Sequence, residues 1–74
     1  MSSEKDYKGY LIISHPNPRG DAGWGAQVAI LRVDPAPLEF KGYVFLDETY
    51  ATQNLARDAG IKAAERRIDL DDRP

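Results

Sequence analysis

Few residues here are suited to chemistry. His15 is the only histidine, and it precedes Asp21 in a turn-rich stretch; an imidazole beside a carboxylate is a common means of moving protons. Asp47 and Glu48 are adjacent carboxylates and offer a second acid–base pair. Neither pair has a nucleophile near it in sequence, and catalysis needs a constellation rather than one group. Asp47 and Glu48 also suit a simpler role, since negative charge at the start of a helix meets the positive end of its dipole. A lone histidine and no cysteine leave no thiolate or histidine-rich metal site. The expectation is a protein that is not an enzyme and uses no cofactor or metal. Arg19-Gly20-Asp21 spells an adhesion tripeptide, a pattern short enough to arise by chance. Gly23-Trp24-Gly25 lacks the lysine, hydroxyl and spacing of a phosphate-cradling loop.

Binding chemistry is better represented. Lys8, Tyr10, Arg19, Trp24, Arg32 and Lys41 could combine phosphate contacts with stacking surfaces on a sheet face, the means by which nucleic acid is held. Their scatter and the formal net charge of −2 argue against that partner, because nucleic-acid binders usually carry a basic surplus. A second candidate surface lies on the C-terminal helix. At about 100° per residue, Leu55, Ala56, Ala59 and Ala63 gather with Thr52 as a small-residue stripe. Tyr50, Ile61, Ala64 and Ile68 gather roughly opposite. A surface helix should show one apolar stripe, so Tyr50, Ile61 and Ala64 either fold back onto the core or form a helix interface.

The elements that must position these residues follow from the chain order. Residues 1–6 read as a disordered polar tail. Tyr7 to Ser14 reads as a first strand, with Leu11 and Ile13 on one face and Tyr10 and Ile12 on the other. His15 to Gly23 is a loop punctuated by Pro16, Pro18, Gly20 and Gly23. Trp24 to Val33 reads as a second strand with Ala26, Val28 and Ile30 toward the core, because Gln27 marks the other face as wetter. Pro35 and Pro37 end it. The aromatic and aliphatic run Phe40, Tyr43, Val44, Phe45 and Leu46 makes the third strand. Asp47 or Thr49 then caps an alanine-rich helix reaching about Arg67, and residues 69–74 form an acidic tail. The expected fold is α+β: a three-stranded antiparallel sheet packed against one C-terminal α-helix (β-β-β-α), a single domain over residues 7–68.

Length and composition set bounds. The chain has 74 residues, and a domain of this size buries only about 60% of its unfolded surface and is marginal alone. No apolar run reaches transmembrane length and no leader segment is visible, so no membrane partner and a cytoplasmic location are expected. The lack of cysteine fits a reducing compartment.

Two family resemblances attach to particular residues. Phe45, Asp47 to Thr49, Ala51, Ala59, Ala63 and Ile68-Asp69 give residues 40 to 69 a likeness to the closing segment of small uncharacterised proteobacterial proteins of β-β-β-α build, which implies a fold and no activity. Tyr7-Lys8-Gly9, Trp24-Gly25-Ala26, Gly42, Phe45, Ala51 and Leu55 more loosely resemble the plant ethylene-response-factor DNA-binding domain. That family reads DNA with several sheet arginines. Here the strands hold only Lys8, Arg32 and Lys41, and the spacing from Gly42 to Phe45 is one residue longer, so the likeness implies topology more than function.

The functional expectation is a non-enzymatic binding or interaction module whose partner is a protein or a second copy of itself, as a homodimer. Apolar groups on both faces of the first strand and on two stripes of the helix exceed what one small core needs. A nucleic-acid-binding domain using the sheet face is the alternative.

Overall fold

The computed structural model describes residues 3–34 and 36–71. Five strands form one antiparallel sheet, and a single C-terminal helix covers one of its faces. The elements are β1 (Ser3–Tyr7), β2 (Tyr10–Ser14), β3 (Asn17–Pro18), β4 (Trp24–Arg32), β5 (Glu39–Tyr50) and α1 (Gln53–Asp71). In space the order is β1-β2-β4-β5, with β3 joined to β4 on the side that β2 occupies.

The expected α+β class holds, but three strands become five, for two local reasons. Lys8 and Gly9 both adopt positive φ, 50° and 84°, and form a two-residue turn across which Tyr7 pairs with Tyr10. Such a turn matches the twist of the strands it joins. The chain from Ser3 to Asp6, read as tail, therefore pairs back on β2. The turn is held in place because the Gly9 carbonyl accepts from the Val33 and Asp34 amides at 2.9 and 3.1 Å. Secondly, β3 keeps the register of β2: Ser14 faces Val28 and Asn17 faces Gly25. Pro16 has no amide to donate and interrupts the ladder. What reads as a nine-residue loop thus contains a two-residue strand, Asn17–Pro18, and only Arg19 to Gly23 turns the chain.

β5 outruns its expected end and is bent by two irregularities. Ile30 faces Gly42 but Leu31 faces Phe40, so Lys41 has no residue opposite it. Gly25 faces Thr49 but Gln27 faces Phe45, so Ala26 is opposed by Leu46, Asp47 and Glu48 together. Asp47 and Thr49 are thus strand residues rather than caps. The cap is Thr52, whose Oγ1 accepts from the Leu55 amide at 3.2 Å, the geometry that satisfies a free donor of the first turn. The expected acidic tail begins inside α1, which runs to Asp71; residues 72–74 and 1–2 lie outside the described residues.

The core lies between α1 and the face made by β2, β4 and β5. Ile12, Val28 and Ile30 meet Ala64 and Ile68, flanked by Tyr7, Tyr10, Val44 and Ile61. As expected, Ala26, Val28 and Ile30 are buried. The helix stripe is not the expected one. Ala56, Gly60, Ala64 and Ile68 are buried at every fourth position, whereas Leu55 is 53% exposed. The cause is closeness: a Cβ at Gly60 would lie 2.8 Å from Val28 Cγ1 and 3.3 Å from Ser14 Oγ. Only the narrow ridge of smallest residues lets the helix settle this deep, and Leu55 would hold it off. Ser14, fully buried below the helix, donates its hydroxyl to the Arg57 carbonyl at 3.3 Å, so the buried oxygen is satisfied.

Gly60→Ala tests this contact. Alanine in place of helical glycine gains about 1 kcal/mol, while overpacking a tight core costs about 1–3 kcal/mol. A net loss of about 1 kcal/mol is expected, seen as a fall of roughly 4–8 °C in the thermal midpoint. A rise in midpoint would show that the helix does not rest on Val28.

Candidate functional site

The six residues expected to share a binding face do not share one. Alternation places Tyr10, Trp24 and Arg32 on the side of the sheet that carries Ile12, Ala26 and Val28, toward α1. Tyr10 packs at the edge of the core, and with Lys41 and Arg67 it lines a cleft of about 40 Å³ near the C-terminal end of the helix, room for water and little more. The cations are largely engaged. Lys8 pairs with Asp69 at 2.7 Å, Arg32 pairs with Glu39, and Lys41 lies 3.3 Å from the same Glu39. Arg19 alone reaches the opposite face, where its side chain crosses Gly25. The helix interface divides as well. Ala64 is completely buried and Ile61 packs against the core. Tyr50 belongs to β5, opposite Trp24, and not to α1.

His15 is exposed at the break between β2 and β3, with its amide bonded to the Gln27 carbonyl at 2.7 Å. Asp21 is exposed in a single 3₁₀ turn, Gly20–Ala22. Among the described residues no cluster of three or more His, Asp or Glu side chains could hold a metal ion, and no helix is long and apolar enough to cross a membrane.

The surface that sequence reading missed is the sheet face away from α1. Cross-strand partners share a face, and the registers join Leu11 to Leu31, Ile13 to Ala29, Ala29 to Tyr43, Leu31 to Phe40 and Gln27 to Phe45. The unopposed Lys41 resets the alternation of β5. Phe40 and Tyr43, three apart, therefore project to the same side as Phe45. Their rings form a row, Phe40 edge-on to Tyr43 with centroids 5.1 Å apart, and Tyr43 to Phe45 at 5.9 Å. These rings are 52%, 55% and 63% exposed. No described element covers them. Glu4 and Asp6 of β1, paired with Ile13 and Leu11, put acid at the far margin of this face.

A second cluster ties the two ends of the fold together. Asp69 accepts from the Tyr7 hydroxyl at 2.9 and 3.0 Å and from the Lys8 ammonium at 2.7 Å. One turn earlier Glu65 pairs with Lys5. The Lys8 and Tyr7 bonds hold the Asp69 carboxyl below its ordinary range. The same hydrogen bond to Asp69 raises both the Tyr7 phenol and the Lys8 ammonium. All three groups are open to solvent, so the cluster is a clamp from hairpin tip to helix end, screened by salt.

No protein-family model matches the chain, and neither the curated proteins nor the solved structures yield a match. The functional reading rests on the geometry.

The clamp predicts a pH profile. Asp69, lowered in the folded state, contributes stability above the ordinary carboxylate range, lost as pH falls through its folded value. Tyr7 and Lys8, raised, contribute stability that is full below their ordinary values near pH ~10 and is lost as pH rises through their folded values. Stability should form a plateau with an acid and an alkaline shoulder. Asp69→Asn should flatten both shoulders and return the Tyr7 phenol toward its ordinary value in a carbon-13 titration of the tyrosine rings. An unchanged Tyr7 titration in that variant would dissolve the clamp.

Proposed function

We propose that this chain is a non-enzymatic interaction module that works through the sheet face opposite α1. The observation that carries the reading is the row Phe40, Tyr43 and Phe45, exposed beside the aliphatic side chains of Leu11, Ile13 and Leu31. Aromatic side chains are the usual anchors of protein interfaces, where a few well-placed rings supply most of the affinity. Contact between neighbouring rings supports β5 modestly, yet each ring keeps more than half its surface in water, and contiguous apolar patches of this kind mark contact sites. The nucleic-acid reading loses support from the same geometry. Of the six cations and aromatics first expected to bind, Arg19 alone lies on this face, and one cation falls short of the several phosphate contacts that dominate affinity for nucleic acid; the far margin of the face carries Glu4 and Asp6.

A photo-crosslinking residue placed at Phe45, and in a second variant at Arg66 on the exposed side of α1, tests the reading in cells. Covalent protein adducts are expected from position 45 and not from position 66. Equal yields, or none from position 45, would remove the open face as an interaction surface.

A further inference from the structure

We infer that the occupant of the open face is a second copy of this chain, packed sheet to sheet about a two-fold axis running along β4. This rests on the interaction-module reading and adds the partner and its geometry. Area comes first. An aromatic side chain offers about 150–250 Å², so three rings exposed by 52–63% present roughly 250–400 Å² per copy. Two copies bring roughly 500–800 Å² of ring surface, and Leu11, Ile13 and Leu31 add to it. That sum approaches the lower edge of specific interfaces, about 1,000–1,200 Å², the size class of transient rather than obligate dimers.

The sheet edges do not compete for the second copy. Bare edge strands pair with other chains unless bulges or charges blunt them. β5 is interrupted at Lys41 and again across Leu46 to Glu48, leaving only Gly42 to Phe45 in regular register between them. β1 carries Glu4, Lys5 and Asp6 in succession. Both free edges are thus defended, while the middle of the face between them, Leu11, Ile13, Ala29, Leu31 and the aromatic row, is apolar, with Gln27 and Arg19 toward one end.

Charge selects the axis. Packed sheets keep their strands within about 30° of one another, which leaves two aligned arrangements. An axis across the strands lays β1 upon β1 and sets Glu4 and Asp6 against their own copies. An axis along β4, the third strand in the order β1-β2-β4-β5, lays β5 upon β2. Phe40, Tyr43 and Phe45 then cover Leu11 and Ile13 of the second copy, small Ala29 lies near the axis, and the acidic β1 overhangs into solvent.

Sedimentation equilibrium on the purified full chain, from about 1 μM to about 1 mM, spans the range in which such an interface titrates. A monomer–dimer equilibrium is expected, weakened roughly tenfold or more by Phe45→Glu, a change at an exposed position that leaves the circular dichroism unaltered. Tyr43→Lys should act likewise. Isotope-filtered NOEs between the Phe45 or Tyr43 ring and Ile13 methyls of the other copy are expected; ring-to-ring NOEs between β5 strands would overturn the axis. A monomer at the highest concentration, or a dimer indifferent to both substitutions, overturns the inference. A monomer whose Phe45 crosslinker still captures a different protein overturns only the second copy and leaves the module reading standing.

Discussion

Everything in this fold depends on how closely α1 approaches the sheet. Gly60 lies over Val28 and Ser14 with no room for a methyl group. That contact sets the rotation of the helix about its own axis. Ala56, Ala64 and Ile68 follow it into the core, and Glu65 and Asp69 fall on the flank that meets β1. A ridge of small residues contributes little apolar area per side chain. The depth of the approach compensates, because interior packing is short-ranged and rewards close contact. The hydroxyl of Ser14 is admitted for the same reason, since a carbonyl of the helix comes near enough to accept from it.

Because one helix covers one face, the other face of the sheet is left to water. A strand buried on both faces reads as continuously apolar, and β2, with Leu11, Ile12 and Ile13 in succession, has that character. Only half of it is met by the fold. The bulge at Lys41 makes the imbalance deliberate in effect: without it Phe40 would point toward α1 and the aromatic row would lose a member. A bulge that re-aims a side chain at a sheet margin is a recurrent device of contact surfaces.

What could be read from the residues, and what could not, divides along physical lines. The core face of β4 was legible because Ala26, Val28 and Ile30 alternate with a polar Gln27 over a regular strand. The antiparallel sheet with a C-terminal helix was legible because alanines and prolines punctuate the chain strongly. The helix stripe was not, because glycine and alanine carry almost no hydrophobic signal, and the large Leu55 drew the reading to the wrong side. The hairpin at Lys8-Gly9 was hidden because its first strand, Ser3 to Asp6, is polar and reads as a tail, while Tyr7 reads as the start of the apolar run that follows. The open face was hidden because a single unopposed residue shifts every later side chain to the other face, and nothing in the composition of β5 marks where that residue falls. Scattered cations looked like one surface because their pairing depends on the fold: Asp69 lies 61 positions from Lys8, and Glu39 meets Arg32 only across the β4–β5 ladder.

The clamp between Tyr7, Lys8 and Asp69 also has a kinetic meaning. Every other pairing of strands joins segments that follow one another closely along the chain, so each closes a short loop at small entropic cost. The clamp joins groups more than sixty positions apart. It closes that loop with solvent-exposed bonds, each worth little alone, beside the buried contacts of Ile12 with Ala64 and Ile68 that span almost as far. Contacts of this exposed, long-range kind belong to the low-stability end of a native structure, and here they lie where β1 meets the last turns of α1.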